Sequence, residues 1–134
     1  MVIDTSALMA IFLGEPEREF YRDQILDAEV RLISAATVLE TGIVMETRMG
    51  PAAGREIENF IDRAGIEVVP FDSEQAAVAL KAWRKYGKGR HPAGLNFGDC
   101  FSYALATTSG EPLLAKGSDF ERTNLHLCPR RPSS

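Results

Sequence analysis

Short apolar runs alternate with longer helix-forming segments along almost the whole chain. Five of these runs are short enough to be strands, at residues 2–4, 30–33, 66–69, 112–115 and 125–128. Strands that alternate with helices are typical of right-handed β–α–β units, in which helices cover both faces of a parallel sheet. The sequence therefore predicts a three-layer α/β fold, with a central, mostly parallel sheet of four to five strands flanked by helices.

Capping residues, glycines and prolines mark the ends of the helices. The first predicted helix covers 7–13, the second begins at Glu15-Pro16-Glu17, and the third extends for about 15 residues after Ser34. Three further helices are predicted at 52–64, 73–86 and 97–107. Thr5 or Ser6 is expected to cap the first helix, Ser34 the third and Ser73 the fifth. The glycine-rich sequence GKGRHPAG before the last helix is expected to be a loop.

Length and composition exclude several classes of protein. The 134 residues suffice for a single domain, 1–128, followed by a short C-terminal tail, 129–134, that is expected to be disordered. No apolar run reaches the roughly 20 residues that span a bilayer, so no membrane partner is expected. The N-terminus lacks the basic segment of a signal peptide, and the two cysteines then indicate reduced thiols in a cytoplasmic protein.

The charges are unevenly distributed. The net charge of −4 argues against a protein that coats nucleic acid by bulk attraction. Residues 75–98, however, contain no acidic residue. This segment carries the basic residues Lys81, Arg84, Lys85, Lys88 and Arg90. It is either an ordinary solvated surface or a surface on which Lys81, Lys85, Lys88 and Arg90 contact a phosphate backbone.

Two acidic residues follow predicted strands. Asp4 comes directly after the first strand, and Asp119 follows the fourth strand within the sequence PLLAKGSDF. Ligands of open α/β sheets bind beyond the carboxyl ends of the strands, so both side chains are expected on the same rim of the sheet. Alternatively, Asp4 is only a helix N-cap and Asp119 only a residue of a Gly-Ser turn.

Two further acidic residues lie on predicted helices with largely apolar surroundings. Glu40 shares a helical stripe with Ala36, Ile43 and Val44, and Asp99 lies near the start of an almost wholly apolar helix. A buried carboxylate needs a compensating partner, because its desolvation is costly. Asp99 can gain from the helix N-terminus. Glu40 could instead pair with an arginine, either Arg48 or Arg55.

Taken together, the four carboxylates are best explained by a cation. If they meet at one rim they repel one another, and a hard divalent ion such as Mg²⁺ or Mn²⁺, which prefers oxygen ligands, removes that repulsion. The sequence shows no Cys/His spacing that would indicate zinc. A magnesium or manganese site is therefore expected.

Four motifs carry the acidic residues: VIDTSAL at the N-terminus, S-A-x-T-x-x-E ending at Glu40, LNFGDCFSYALA around Asp99, and PLLAKGSDF around Asp119. They resemble the motifs of PIN-domain ribonucleases, and most closely those of the VapC toxins of bacterial and archaeal toxin–antitoxin pairs. The resemblance implies a PIN-like domain with Asp4 and Asp99 as principal metal ligands, Glu40 as a third ligand or one acting through water, and Asp119 completing the set. Ser6 and Asn96 would be supporting polar residues.

The resemblance also implies an activity and partners. The activity is Mg²⁺-dependent endoribonuclease cleavage of RNA by metal-activated water, with Mn²⁺ as a substitute ion. The partners are a cognate VapB-like antitoxin, an RNA substrate and a second copy of the chain in a homodimer. The alternative is a non-catalytic PIN-like module that binds RNA or protein.

Other enzyme classes fit the sequence poorly. A phosphatase of the haloacid dehalogenase type needs a second Asp two residues after the first, where this chain has Ser6. A serine hydrolase of the G-x-S-x-G type and a P-loop protein are both excluded, because neither motif occurs.

Overall fold

The structure is a computed structural model that describes residues 1–129. In chain order its elements are β1 (Val2–Ile3), α1 (Thr5–Phe12), α2 (Arg18–Asp27), β2 (Leu32–Ser34), α3 (Ala35–Met49), α4 (Pro51–Arg63), β3 (Glu67–Val69), α5 (Ser73–Tyr86), α6 (Phe97–Ser109) and β4 (Leu113–Leu114). Except for Pro129, the tail predicted at 129–134 lies outside the described residues. Within those residues, no helix combines the length and the apolar character needed to cross a membrane.

The strands form one parallel sheet in the order β3-β2-β1-β4. The predicted α/β class and parallel sheet are therefore confirmed. The fifth strand predicted at 125–128 is reduced to a single bridge between Leu113 and Leu127. Only two backbone hydrogen bonds make this bridge, from the Leu113 N–H to the His126 carbonyl and from the Cys128 N–H to the Leu113 carbonyl.

Helices cover both faces of the sheet. Because side chains alternate along a strand, neighbouring residues of β1 point into different cores. Ile3 packs in one core with the buried side chains of α1, α2 and α4, whereas Val2 packs in the other with those of α5 and α6. In β4, Leu114 and Leu113 divide in the same way. The result is the expected three-layer arrangement.

Two helix caps differ from the prediction. Asp4, rather than Thr5 or Ser6, is the N-cap of α1, and its carboxylate accepts the Ser6 N–H. Asp72, rather than Ser73, caps α5. In both cases the aspartate lies one residue before the predicted hydroxyl cap, and its carboxylate accepts an N–H of the first helical turn. Ser34 caps α3 as expected.

The second helix starts later than the sequence suggested. Residues around Pro16 form a turn, and α2 begins at Arg18 with Glu17 as an N-cap that makes no side-chain capping bond. The turn is fixed from outside the helix instead. The Lys116 ammonium, on the segment after β4, forms ion pairs with both Glu15 and Glu17.

Candidate active site

Asp4 lies at the carboxyl end of the central strand β1 and is only 5% exposed. Its Oδ2 accepts hydrogen bonds from the Ser6 N–H at 3.1 Å and from the Ser6 hydroxyl at 2.7 Å, and its Oδ1 accepts one from the Ser102 hydroxyl at 2.6 Å. Ser6 Oγ in turn accepts the Lys116 N–H at 2.8 Å. Asp4 is thus both the cap of α1 and a buried, fixed carboxylate.

Asp99 lies in the first turn of α6, where it forms a capping box with Asn96. The Asp99 N–H donates to Asn96 Oδ1 at 2.9 Å, and the Asn96 N–H donates to Asp99 Oδ2 at 3.0 Å. Burial raises the pKa of the Asp99 carboxyl to about 7, and the charges of Asp4 and Asp119 add to the rise while the Asn96 bond opposes it. Asn96, expected to be a supporting polar residue, shapes the helix start that carries Asp99.

Glu40 is half-buried on α3, and its Oε1 accepts the Thr5 hydroxyl at 2.7 Å. Burial raises the pKa of its carboxyl, as does the charge of Asp4, while the bond from Thr5 lowers it. Among the described residues Glu40 forms no ion pair with an arginine, so the alternative pairing with Arg48 or Arg55 is not found.

The helical stripe predicted around Glu40 is not the buried one. Ile43 is 58% exposed, and α3 instead buries Thr37, Thr41 and Met45 toward the sheet. Apolar residues on this helix therefore do not all face the core. Leu39 and Ile43 form an exposed apolar surface beside Glu40, continued by Phe97 at the start of α6.

Gly98 allows Glu40 to approach α6. A β-carbon at position 98 would lie 2.8 Å from Oε1 of Glu40 and closer still to Oε2, a separation that no real side chain tolerates. The Glu40 carboxylate therefore lies against the backbone next to Asp99. Only a glycine at this position leaves that space free.

Asp119 is exposed in the loop after β4, at the opening of the rim. The charge of Asp119 raises the pKa of Asp99, and the charge of Asp4 raises the pKa of both Asp99 and Glu40. The four predicted carboxylates therefore lie on one rim of the sheet. Among the described residues none of them forms an ion pair with a lysine or arginine, since Lys116 is engaged by Glu15 and Glu17.

A hard divalent cation fits this set of ligands. All four side chains offer carboxylate oxygen, and their mutual repulsion is left without a compensating charge. Within residues 1–129, no three His, Cys, Asp or Glu side chains already have their ligand atoms arranged around one point.

The predicted basic segment is divided between two surfaces. Lys81 and Lys85 line a cleft on one side of α5, together with Tyr103 and Thr107 of α6. Lys88 and Arg90 lie in the loop after α5, and the Arg90 guanidinium lies 4.3 Å from the ring centre of Trp83, on another side of the helix. All four basic residues are exposed, and no one surface carries the whole set.

Three residues of the site were not found from the sequence. Thr5, Gly98 and Ser102 each touch one of the carboxylates directly or define the space it occupies. Ser102 had a usable signal, because it lies three positions after Asp99 and therefore on the same face of α6. The contact of Ser102 with Asp4 depends on the packing of α6 against β1, which the sequence does not show.

The fold and the acidic rim define an α/β protein with a carboxylate site at the carboxyl edge of a parallel sheet. A family model for the PIN domain matches residues 1–125. Ribonuclease VapC of Mycolicibacterium smegmatis is 53% identical over 125 residues, which cover 93% of this chain and 97% of that protein. The chain therefore belongs to the PIN-domain family, in its group of VapC ribonucleases, and the resemblance drawn from the four motifs is confirmed.

Solved structures agree with this fold. VapC20 of Mycobacterium tuberculosis, a toxin that cleaves the sarcin–ricin loop, superposes with a TM-score of 0.76 at 18% identity, covering 92% of this chain and 95% of that one. The DNA-bound VapBC of Salmonella typhimurium superposes with a TM-score of 0.73 at 21% identity, covering 94% and 93%. At such low identities the likeness concerns the fold.

Proposed function

We propose that the chain is a Mg²⁺-dependent endoribonuclease, with Mn²⁺ able to replace Mg²⁺, that hydrolyses RNA phosphodiester bonds with a metal-activated water. The observation that carries this proposal is the meeting of Asp4, Glu40, Asp99 and Asp119 at one rim without a basic partner. The similarity to a protein named Ribonuclease VapC supports RNA as the substrate.

The four carboxylates of the rim have different roles in this proposal. Asp4 and Asp99 are the principal ligands, because both are buried and anchored to the backbone. When bound, a divalent ion supplies charge neutralisation at the phosphate and a lowered pKa for the attacking water. Glu40 is a third ligand, direct or through a water, and its carboxyl, whose pKa is raised by burial, is also suited to take up the proton of the attacking water. Asp119, at the opening, completes the set.

The basic residues would hold the RNA on either side of α5. Lys81 and Lys85 in one cleft, and Lys88 and Arg90 in the loop, can each contact phosphates that extend beyond the cleaved bond. The rim itself is acidic, so RNA would approach it only when an ion has neutralised the carboxylates. A net charge of −4 is compatible with such local contacts.

A toxin with this activity would need an inhibitor. We propose a VapB-like antitoxin as its partner in the cytoplasm, and a homodimer as its own assembly. The likeness to the VapBC of Salmonella typhimurium supports the first of these partners. The second follows from the resemblance to VapC toxins.

The competing function is a PIN-like module that binds RNA or protein without cleaving it. Asp4→Asn and Asp99→Asn separate the two, because each removes one charge from the rim and keeps the size of the side chain. Both variants should lose Mg²⁺-dependent cleavage of a labelled RNA. Asp62→Asn, an exposed residue of α4, is the matched control and should cleave normally. Undiminished cleavage by both rim variants would reject the metal site, and an inactive wild type that binds RNA would favour the binding module.

A further inference from the structure

We propose that Thr5 is a positioning residue whose hydroxyl holds the Glu40 carboxylate at the rim. The inference rests on the proposed metal-dependent function, in which Glu40 is part of the ligand set. Thr5 is buried at the first position of α1, directly after Asp4, and its Oγ1 donates to Oε1 of Glu40 at 2.7 Å. The bond joins α1 to α3 across 35 positions of the sequence.

Glu40 needs such a tether for three reasons. Its side chain has several rotatable bonds, so fixing it costs conformational entropy. The charge of Asp4 repels it, and burial disfavours its charged form. Since Glu40 is only half-buried, its carboxylate would otherwise turn outward into water. The Thr5 hydroxyl opposes all three effects, because it stabilises the charged carboxylate at this one position.

Thr5 is itself oriented by the neighbouring helix. Thr41 is fully buried, and its hydroxyl lies 3.1 Å from Thr5 Oγ1 and 2.8 Å from the Thr37 carbonyl. Since Thr5 gives its only hydroxyl hydrogen to Glu40, its oxygen can only accept, and the single hydroxyl hydrogen of Thr41 is shared between Thr5 Oγ1 and the Thr37 carbonyl. The buried Thr41 thus restricts the position of the Thr5 hydroxyl from the side of α3.

The α6 backbone at Gly98 limits the space of the Glu40 carboxylate on the side away from Thr5. The Glu40 carboxylate lies between the Thr5 hydroxyl of α1 and the backbone of α6 at Gly98, where a β-carbon would overlap it. With the hydroxyl on one side and the backbone on the other, the carboxylate has one place at the rim. Thr5 fixes that place because it supplies the directional contact.

The test is Mn²⁺ binding to the full chain, measured by titration calorimetry. Thr5→Val keeps the shape of the side chain and removes the hydroxyl, and the Mn²⁺ affinity should fall by about 10- to 100-fold, as for other residues that orient metal ligands. Thr5→Ser keeps the hydroxyl and should bind Mn²⁺ as the wild type does. Thr5→Ala is the substitute should the valine variant fail to fold, as judged by urea unfolding.

A double-mutant cycle separates positioning from a general structural effect. In a Glu40→Gln background, Thr5→Val should cause no further loss of Mn²⁺ affinity, because the group that Thr5 positions is already changed. Equal affinity of the wild type and the folded Thr5→Val variant would overturn the inference alone. A further full loss in the Glu40→Gln background would overturn it as well. Absence of Mn²⁺ binding by the wild type would overturn the proposed metal site and this inference together.

Discussion

Ser102 of α6 donates a hydrogen bond of 2.6 Å to Oδ1 of Asp4, although 98 positions separate the two residues. Both side chains are buried, Ser102 completely so. The bond connects the start of the chain to its last helix at the point where the carboxylates meet. Because Ser6 already occupies the other oxygen of Asp4, the two serines together fix the plane of the carboxylate.

Loss of the Ser102 hydroxyl should destabilise the folded protein. A hydrogen bond to a charged group contributes about 1.5–3 kcal/mol, and Ser102→Ala removes one that is shielded from water. We expect the free energy of unfolding, measured with urea, to fall by a value in this range. Ser73→Ala, an exposed residue at the start of α5, should change it by no more than about 0.5 kcal/mol. Equal effects of the two substitutions would show that the Asp4–Ser102 bond does not contribute.

Gly98→Ala should separate activity from helix stability. Alanine favours a helix over glycine by about 1 kcal/mol, but a β-carbon at position 98 overlaps the Glu40 carboxylate. We expect Glu40 to move away, with a large loss of RNA cleavage. Gly42→Ala is the matched control, since it lies within α3 and has no atom within 4 Å of the added carbon. It should raise the stability and preserve cleavage, and a fully active Gly98→Ala variant would contradict the assigned place of Glu40.

The metal-free protein should become less stable as the pH rises. Burial holds the pKa of Asp99 at about 7 in the folded chain, against 3.8 for an ordinary aspartate, so the folded state keeps its proton where the unfolded state has lost it. The destabilising contribution therefore develops between about pH 4 and pH 7 and stays constant above that range. Burial also raises the pKa of Glu40, so this residue changes the stability in the same direction.

Urea unfolding with a chelator at pH 5 and pH 8 measures this effect. The midpoint should be lower at pH 8 than at pH 5, and Asp99→Asn should show a clearly smaller difference. Mg²⁺ added at pH 8 should raise the wild-type midpoint, because an ion that binds only the folded state stabilises it. An identical pH difference in the variant would exclude Asp99 as its source.

Both basic surfaces should contribute to RNA binding. Each phosphate contact that is removed flattens the dependence of log K on log salt by about 0.7 for single-stranded RNA. We expect a flatter slope for Lys81→Ala with Lys85→Ala, and for Lys88→Ala with Arg90→Ala, measured by fluorescence anisotropy with Ca²⁺ in place of Mg²⁺. A pair that leaves the slope unchanged belongs to the solvated surface. Arg55→Ala, on α4, is the control for the loss of a charge.

The sequence was sufficient for the parts of the fold that depend on local patterns. Alternating apolar runs predicted the strands to within about two residues, and Ser34 was recognised as a cap because capping is a local interaction. Asp4 could be placed at the rim because it follows a strand directly. The predicted fifth strand at 125–128 pairs with β4 through one bridge only, because its extent depends on how far this segment can run beside β4.

The contacts that organise the site could not be predicted in this way. The bond from Thr5 to Glu40 and the bond from Ser102 to Asp4 join residues on different helices, and their geometry follows from how those helices pack. The exposure of Ile43 could not be predicted for a similar reason. Helical periodicity identifies an apolar stripe, but it does not tell which layer of the protein the stripe faces.

The brevity of the central strand has one more consequence. β1 contains only two residues, both fully buried on opposite faces of the sheet, and Asp4 follows without a spacer. A single inserted or deleted residue at this point would exchange the two cores that the strand's side chains enter, and it would also carry Asp4 away from the other carboxylates. The length of this segment is therefore constrained by the fold and by the site together, because Asp4 reaches the rim only when it directly follows the two strand residues.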